Sequence, residues 1–280
     1  MIQKILKTCT VFVLVILPLL LGGIIGKHSP YIETNSFKTY VLIWTAFSIV
    51  FASVALLLVR KFQLASIGFI PFLLLCPIVG IVGLASPPDL SLKMLDHPER
   101  EHLRYTFLFL AALLFGVFAV SLLRGNHLKI KGSSKWLIAL LFTLAFAEFI
   151  WEFTHHYLYP EGLKDWVTAG NNADEFGKHY DNFNVITVGI IGRYIQFTSI
   201  IWLSISFYKA RQTKLWSPVL VCILGTLGII SATVTFITQM NYPKGLEFLF
   251  LFFIPGMPFL ALYWLGAALL TNLNKDAIKG

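Results

Sequence analysis

Trp136–Leu158 reads WLIALLFTLAFAEFIWEFTHHYL, and this stretch decides the fold class. Its apolar residues run on without the alternation that a half-buried strand requires. A helix of this length, rising about 1.5 Å per residue, covers the roughly 30 Å of a bilayer's hydrocarbon. Only closed barrels let strands cross lipid, because every backbone N–H and C=O must find a partner there. The segment is therefore predicted to be a transmembrane helix that carries two acids, Glu148 and Glu152, below a histidine pair, His155 and His156.

The same pattern recurs on both sides of it. Comparable runs lie at roughly 8–26, 39–59, 62–86, 104–123, 136–158, 184–208, 215–239 and 246–271. The composition agrees: 57% of the 280 residues are hydrophobic and 13% charged, with a mean hydropathy of +0.75. A water-soluble fold cannot hide that much apolar surface. The expected class is all-α, a polytopic membrane protein with about eight transmembrane helices in two four-helix halves. The basic, Gly- and Ser-containing segment RGNHLKIKGSSK, residues 124–135, separates an N-terminal half (1–128) from a C-terminal half (136–280). Four spans per half permits a parallel internal repeat, although the halves show no convincing sequence match.

Charge sets the expected sidedness. Counted at alternate ends of the runs, one side collects 13 Lys and Arg with a single acid, Asp276, and the other collects 8 with eleven acids. The positive-inside rule then places both termini in the cytoplasm. Lys4 and Lys7 precede an apolar run that no Ala-x-Ala site follows, which reads as an uncleaved first span. The net charge of +8 sits in short clusters between apolar runs, a topology signal that gives no support to nucleic-acid binding. Cys9, Cys76 and Cys222 lie far apart in apolar runs, so no disulfide framework or thiolate metal site is expected. The same sidedness puts six of the seven histidines on or near the outer side.

The second half holds the chemistry. Glu148, Glu152 and His155 follow an i, i+4, i+7 spacing and share one helix face. Carboxylates inside a membrane are costly and face a cavity or a partner. Arg193, in GIIGRYIQF, lies at a depth similar to that of Glu152 on the next span. The two are expected to meet, leaving Glu148 or His155 as the titratable group. The alternative is a packing ion pair with no further role. Ser231, Thr233, Thr235 and Thr238 either complete a polar wall or bond their own backbone. Pro255, Gly256 and Pro258 should kink the last span and free carbonyls toward the interior. Glu152-Phe-Thr-His155 and Glu99-Arg-Glu-His102 are Glu-x-x-His patterns of the kind found in carboxylate di-metal sites. Asp96, His97, Glu99 and Glu101 read better as a solvated loop, and no metal or other cofactor is assigned.

Further features lie in order along the second half. Acids one turn apart, Glu148 and Glu152, precede His156-Tyr-Leu-Tyr159; a long polar outer loop follows, with Trp166 midway. Tyr180-Asp181-Asn182-Phe183 then enters the next helix, and Leu262-Tyr263-Trp264 lies toward the end of the last. In these features Trp136–Asn272 resembles the EXPERA domain, the four-helix membrane module of emopamil-binding proteins, which include sterol isomerases. In those isomerases a His and a Glu one turn apart, and a Glu soon after Asp-Asn-Phe, surround the sterol and move its proton. Glu152 matches the first Glu, Glu148 stands where the His would be, and Val188 stands where the second Glu would be. The resemblance implies a cavity for a lipophilic ligand and does not carry isomerase activity over.

The expected function is binding of a sterol-like or other lipophilic molecule within the membrane, with isomerase-like proton transfer as its chemical extension. Glu152, Glu148 and His155 are the candidate acid–base groups, with Glu152 central. Asp181, Asn182, Arg193 and Trp264 are the candidate ligand contacts. The expected partners are a lipophilic small molecule or lipid and the bilayer itself. Two other readings stay open: a proton-coupled transporter that uses Glu148, Glu152 and Arg193 as a relay, and a metal-dependent membrane enzyme.

Overall fold

The computed structural model describes residues 91–124 and 132–272, with residues 12–18 and a few isolated positions among the first fifty. The described chain is helical throughout and contains no strand. Its helices are α1 (Pro98–Arg124), α2 (Ser133–Tyr157), α3 (Tyr159–Thr168), α4 (Ala173–Tyr180), α5 (Phe183–Lys209), α6 (Trp216–Thr238), α7 (Phe250–Phe253) and α8 (Gly256–Thr271). Among the described residues three helical stretches are long and apolar enough to cross a membrane: Ser133–Thr168, Phe183–Lys209 and Trp216–Thr238. Glu247–Phe253 and Gly256–Leu269, bent by 64° at their junction, pass the same test together, as a broken span or a re-entrant loop. The spans expected at 39–59 and 62–86, and most of that at 8–26, lie outside the described residues. So does the comparison of two four-helix halves.

Local chemistry explains where the helices begin and break. α2 starts at Gly132, whose φ of 74° and ψ of −151° an L side chain rarely adopts. Asn182 opens α5, its Oδ1 accepting from the N–H groups of Asn184 (3.1 Å) and Val185 (3.3 Å). α7 and α8 are split where Ile254 turns extended ahead of Pro255, as the Pro255–Gly256–Pro258 pattern predicts.

α1 packs against α2, α2 against α5, α5 against α6, and α8 lies against α5 and α6. The core is aromatic. Phe115 of α1 stands 4.8 Å from Phe142 and 5.3 Å from Phe149 of α2, and Phe149 stacks at 4.6 Å on Phe259 of α8. Every residue from Phe259 to Leu269 is buried, so α8 is apolar all round because it is enclosed all round. Trp264 belongs to that enclosure: its indole N–H donates to the carbonyl of Val15 at 3.0 Å. Trp264 thus docks the first segment of the chain, a packing role that its sequence assignment as a ligand contact had not anticipated. Outward, Val219, Ile223, Ile230 and Ile237 expose an apolar stripe along α6.

Two stretches expected as polar loops are helical. The segment after α2 folds into α3 and α4, because Tyr159, Leu163 and Trp166 recur at helical spacing, as do Phe176 and Tyr180. Their apolar faces close on Met94 in a small cluster of their own. The residues around Glu99 form the first turns of α1, with Pro98 at its start, where its missing N–H costs nothing. Glu101, read as solvated, is buried there beside Arg104 at 3.3 Å.

α5 and α6 meet closely because Gly225 and Gly228 leave room for Ile201 and Phe197. A Cβ at Gly228 would overlap the Phe197 ring, which is itself fully enclosed. Gly228→Ala should lower thermal stability in detergent by about 1–3 kcal/mol, the usual cost of overpacking. Gly256→Ala, whose new methyl meets nothing within 4 Å, should melt like the parent.

Candidate functional site

The site is built around Arg193, which is 1% exposed in the interior of the helix bundle. Each of its nitrogens is used. Nη2 donates to both oxygens of Glu152, at 2.8 and 3.0 Å, and Nη1 donates to Oε1 of Gln196 at 2.8 Å. Nε donates to the carbonyl of Phe253 at 2.6 Å. That carbonyl ends α7 and lacks a helical partner because the chain breaks at Pro255, so the guanidinium caps the half-helix. The rings of Phe149 and Phe253 lie 5.8 and 5.6 Å from the guanidinium carbon.

Glu148, one turn below Glu152 on α2, completes the network differently. Its Oε2 accepts from the Gln196 amide and lies 3.7 Å from Arg193 Nη1. Its Oε1 is buried and has no hydrogen-bond partner among the described residues. The carboxylate lies against the backbone of α5 at Gly192, where any Cβ would collide with it. Two carboxylates thus share one guanidinium, and a buried acceptor is left over. If both acids are ionised the cluster carries one net negative charge, which a proton or a cation from beyond the cluster would balance.

The expected meeting of Glu152 and Arg193 is present, but the weight falls on the other acid. Glu152, assigned the central role, has both oxygens engaged; the free atom belongs to Glu148. Gln196, Gly192 and the Phe253 carbonyl were not singled out in the sequence. Gln196 sits three residues after Arg193 and four after Gly192, so it was legible as a helix-face neighbour of each. Val188, at the position of the second isomerase Glu, is 37% exposed.

His155 stands apart from this network. Its Nε2 is 2.8 Å from Oδ1 of Asp181, and its ring is stacked between Trp151 and Tyr180 at centroid distances of 5.4 and 4.4 Å. Tyr180 donates its hydroxyl to the His155 carbonyl at 2.9 Å. Burial pushes the Tyr180 phenol above its ordinary value, and the Asp181 charge adds to this, so it stays a neutral donor. Asn182 is the α5 cap and not part of either cluster.

The α6 hydroxyls largely bond backbone. Thr233, Thr235 and Thr238 donate to the carbonyls of Ile229, Ser231 and Val234, and Ser231 donates to Leu249. Thr233 also meets Tyr194, and Thr235 meets Tyr242.

Arg193→Ala strands Glu152 and Glu148 together, and should cost on the order of 3–5 kcal/mol in thermal unfolding. Arg193→Ala with Glu152→Gln should recover part of that loss, while Lys164→Ala on exposed α3 should cost nothing measurable. Asn182→Ala should cost about 1 kcal/mol, the worth of a helix cap, and leave any ligand affinity of the folded protein unchanged.

Comparison of the chain with family models, with curated proteins and with solved structures finds no match to any of them.

Proposed function

We propose that the chain is a multi-pass membrane protein, with both termini cytoplasmic, that binds a lipophilic molecule carrying a cationic amine or an equally strong hydrogen-bond donor. The observation that carries this reading is Oε1 of Glu148, buried and without a hydrogen-bond partner among the described residues. The remaining N–H of Arg193 Nη1 lies 3.7 Å from the other oxygen of the same acid, so Oε1 is left to meet a bound molecule. A lipophilic ammonium supplies both the donor and the charge. Helices long and apolar enough to cross a membrane, and the outward apolar stripe of α6, support the membrane setting. The charge asymmetry between alternate chain ends supports the orientation.

In this reading Arg193 holds Glu152 as a fixed counter-charge, and Glu148 meets the ligand. Proton transfer to a bound sterol-like molecule would use Glu148, because Glu152 is held at both oxygens. The resemblance to the EXPERA domain supports the ligand class and leaves the reaction open.

A second reading has its own observation. The last span is broken at Pro255, and the freed Phe253 carbonyl is bound to the charged cluster itself. Broken helices with such ends are the working parts of many secondary carriers, so protonation of Glu148 coupled to movement of α7 would make a proton-driven transporter.

Glu148→Gln keeps the shape and removes the charge. It should fold like the parent and weaken binding of a radiolabelled lipophilic tertiary amine in detergent by about 10- to 100-fold, the worth of a hydrogen bond to a charged group. Glu161→Gln on exposed α3 should bind normally. Unchanged amine affinity in Glu148→Gln overturns the binding reading. Amine uptake into liposomes that follows an imposed pH gradient, and is lost in Glu148→Gln, would favour the carrier.

A further inference from the structure

A second cluster of ligand-type side chains lies where α2 ends. His155, His156 and Asp181 each bring one nitrogen or oxygen to within 4.8 Å of the other two. They come from two separate places: the last turn of α2, and the first of the two residues between α4 and α5. All three are half-buried, neither enclosed in the core nor free in solvent.

We propose that His155, His156 and Asp181 form a binding site for a divalent first-row transition ion, of the Zn2+ or Fe2+ kind. Two imidazoles and one carboxylate are the donor set those ions take when they keep positions open for water or substrate. Ca2+ and Mg2+ are disfavoured, because they take oxygen ligands.

The imidazoles are held before any ion arrives. The His155 ring is fixed between Trp151 and Tyr180, and Tyr105 stacks on His156 with centroids 5.1 Å apart and planes 13° from parallel. The Tyr180 hydroxyl anchors the backbone beneath His155. Such support around the ligands is what keeps a metal site's rings oriented.

The distances fit after a small closure. Bonds of about 2.0–2.2 Å in a tetrahedral shell hold ligand atoms roughly 3.3 Å apart. His155 and Asp181 are already 2.8 Å apart, joined by one proton, and the ion would take that proton's place. Rotation of the Asp181 carboxylate, with an in-plane slide of the His156 ring along Tyr105, supplies the remaining approach.

The assignment differs from the Glu-x-x-His pattern visible in the sequence. That pattern pairs His155 with Glu152, but Glu152 has both oxygens on Arg193. Asp181, twenty-six residues away along the chain, takes the place of Glu152. The ion would clamp the corner between α4 and α5 onto the end of α2, one to two helical turns from the Glu148–Glu152 network.

The test uses full-length protein without a histidine tag, purified in detergent and stripped with chelator. Co2+ titrated into it should bind at one ion per chain, with visible absorption bands of a low-coordinate nitrogen and oxygen site, and Zn2+ should displace it. His155→Gln and Asp181→Asn should each weaken binding by about 100-fold or more, beyond the loss seen when only a supporting residue is removed. His102→Ala and Glu148→Gln should bind Co2+ like the parent, so this result stands apart from the amine measurement. X-ray absorption of the Zn2+-loaded parent should count two imidazoles, which decides the matter even if the variants fail to fold. Failure of the parent to bind a stoichiometric ion, or a bound ion without imidazole ligands, overturns the proposal.

Discussion

A guanidinium that cannot reach water governs this structure. Arg193 lies in the interior, so the protein has to meet its donors. Glu152, Gln196 and the Phe253 carbonyl take four of its five N–H groups, and these three belong to α2, α5 and α7. The charge therefore fixes the spacing of three elements at once. It explains why α5 carries glycine at 192, where Glu148 lies against the backbone, and why the break before Pro255 leaves no orphaned carbonyl at Phe253.

Polar interactions in this bundle are arranged in two tiers. The inner tier is the Arg193 network, closed except at Glu148 Oε1. The outer tier is His155, His156 and Asp181, gripped by aromatic rings and tied to the two short helices that follow α2. Glu148, Glu152 and His155 lie along one face of one helix, so any tilt or shift of α2 moves both tiers together. The two clusters are thereby carried on one helix without sharing a side chain.

Some of the site was legible in the sequence because it rests on local geometry. The i, i+4, i+7 spacing put Glu148, Glu152 and His155 on one face, matching depth brought Arg193 to Glu152, and the prolines predicted the broken last span. Other parts were misread where polar composition hid a helical pattern. α3 and α4 looked like a loop because charged residues are interspersed among the apolar ones, yet Tyr159, Leu163 and Phe176 were enough to close a small core with Met94. Glu101 looked solvated for the same reason and is buried with Arg104. Asn182 and Trp264 were singled out as ligand contacts, and the structure adds that one caps a helix and the other bonds the carbonyl of Val15.

The order of residues alone sets the class of structure. A long continuous apolar run can satisfy its own backbone only as a helix, and that constraint needs no knowledge of neighbours. It also determined which side chains share a face, since 3.6 residues per turn is a property of the helix alone. The tertiary structure decided which acid is spent and which is free. That depends on where the broken end of α7 places its carbonyl and on which carboxylate reaches the guanidinium with both oxygens. It also decided that His155 meets Asp181 and not Glu152. These outcomes are set by contacts between segments far apart in the chain, and periodicity along a single helix carries no information about them.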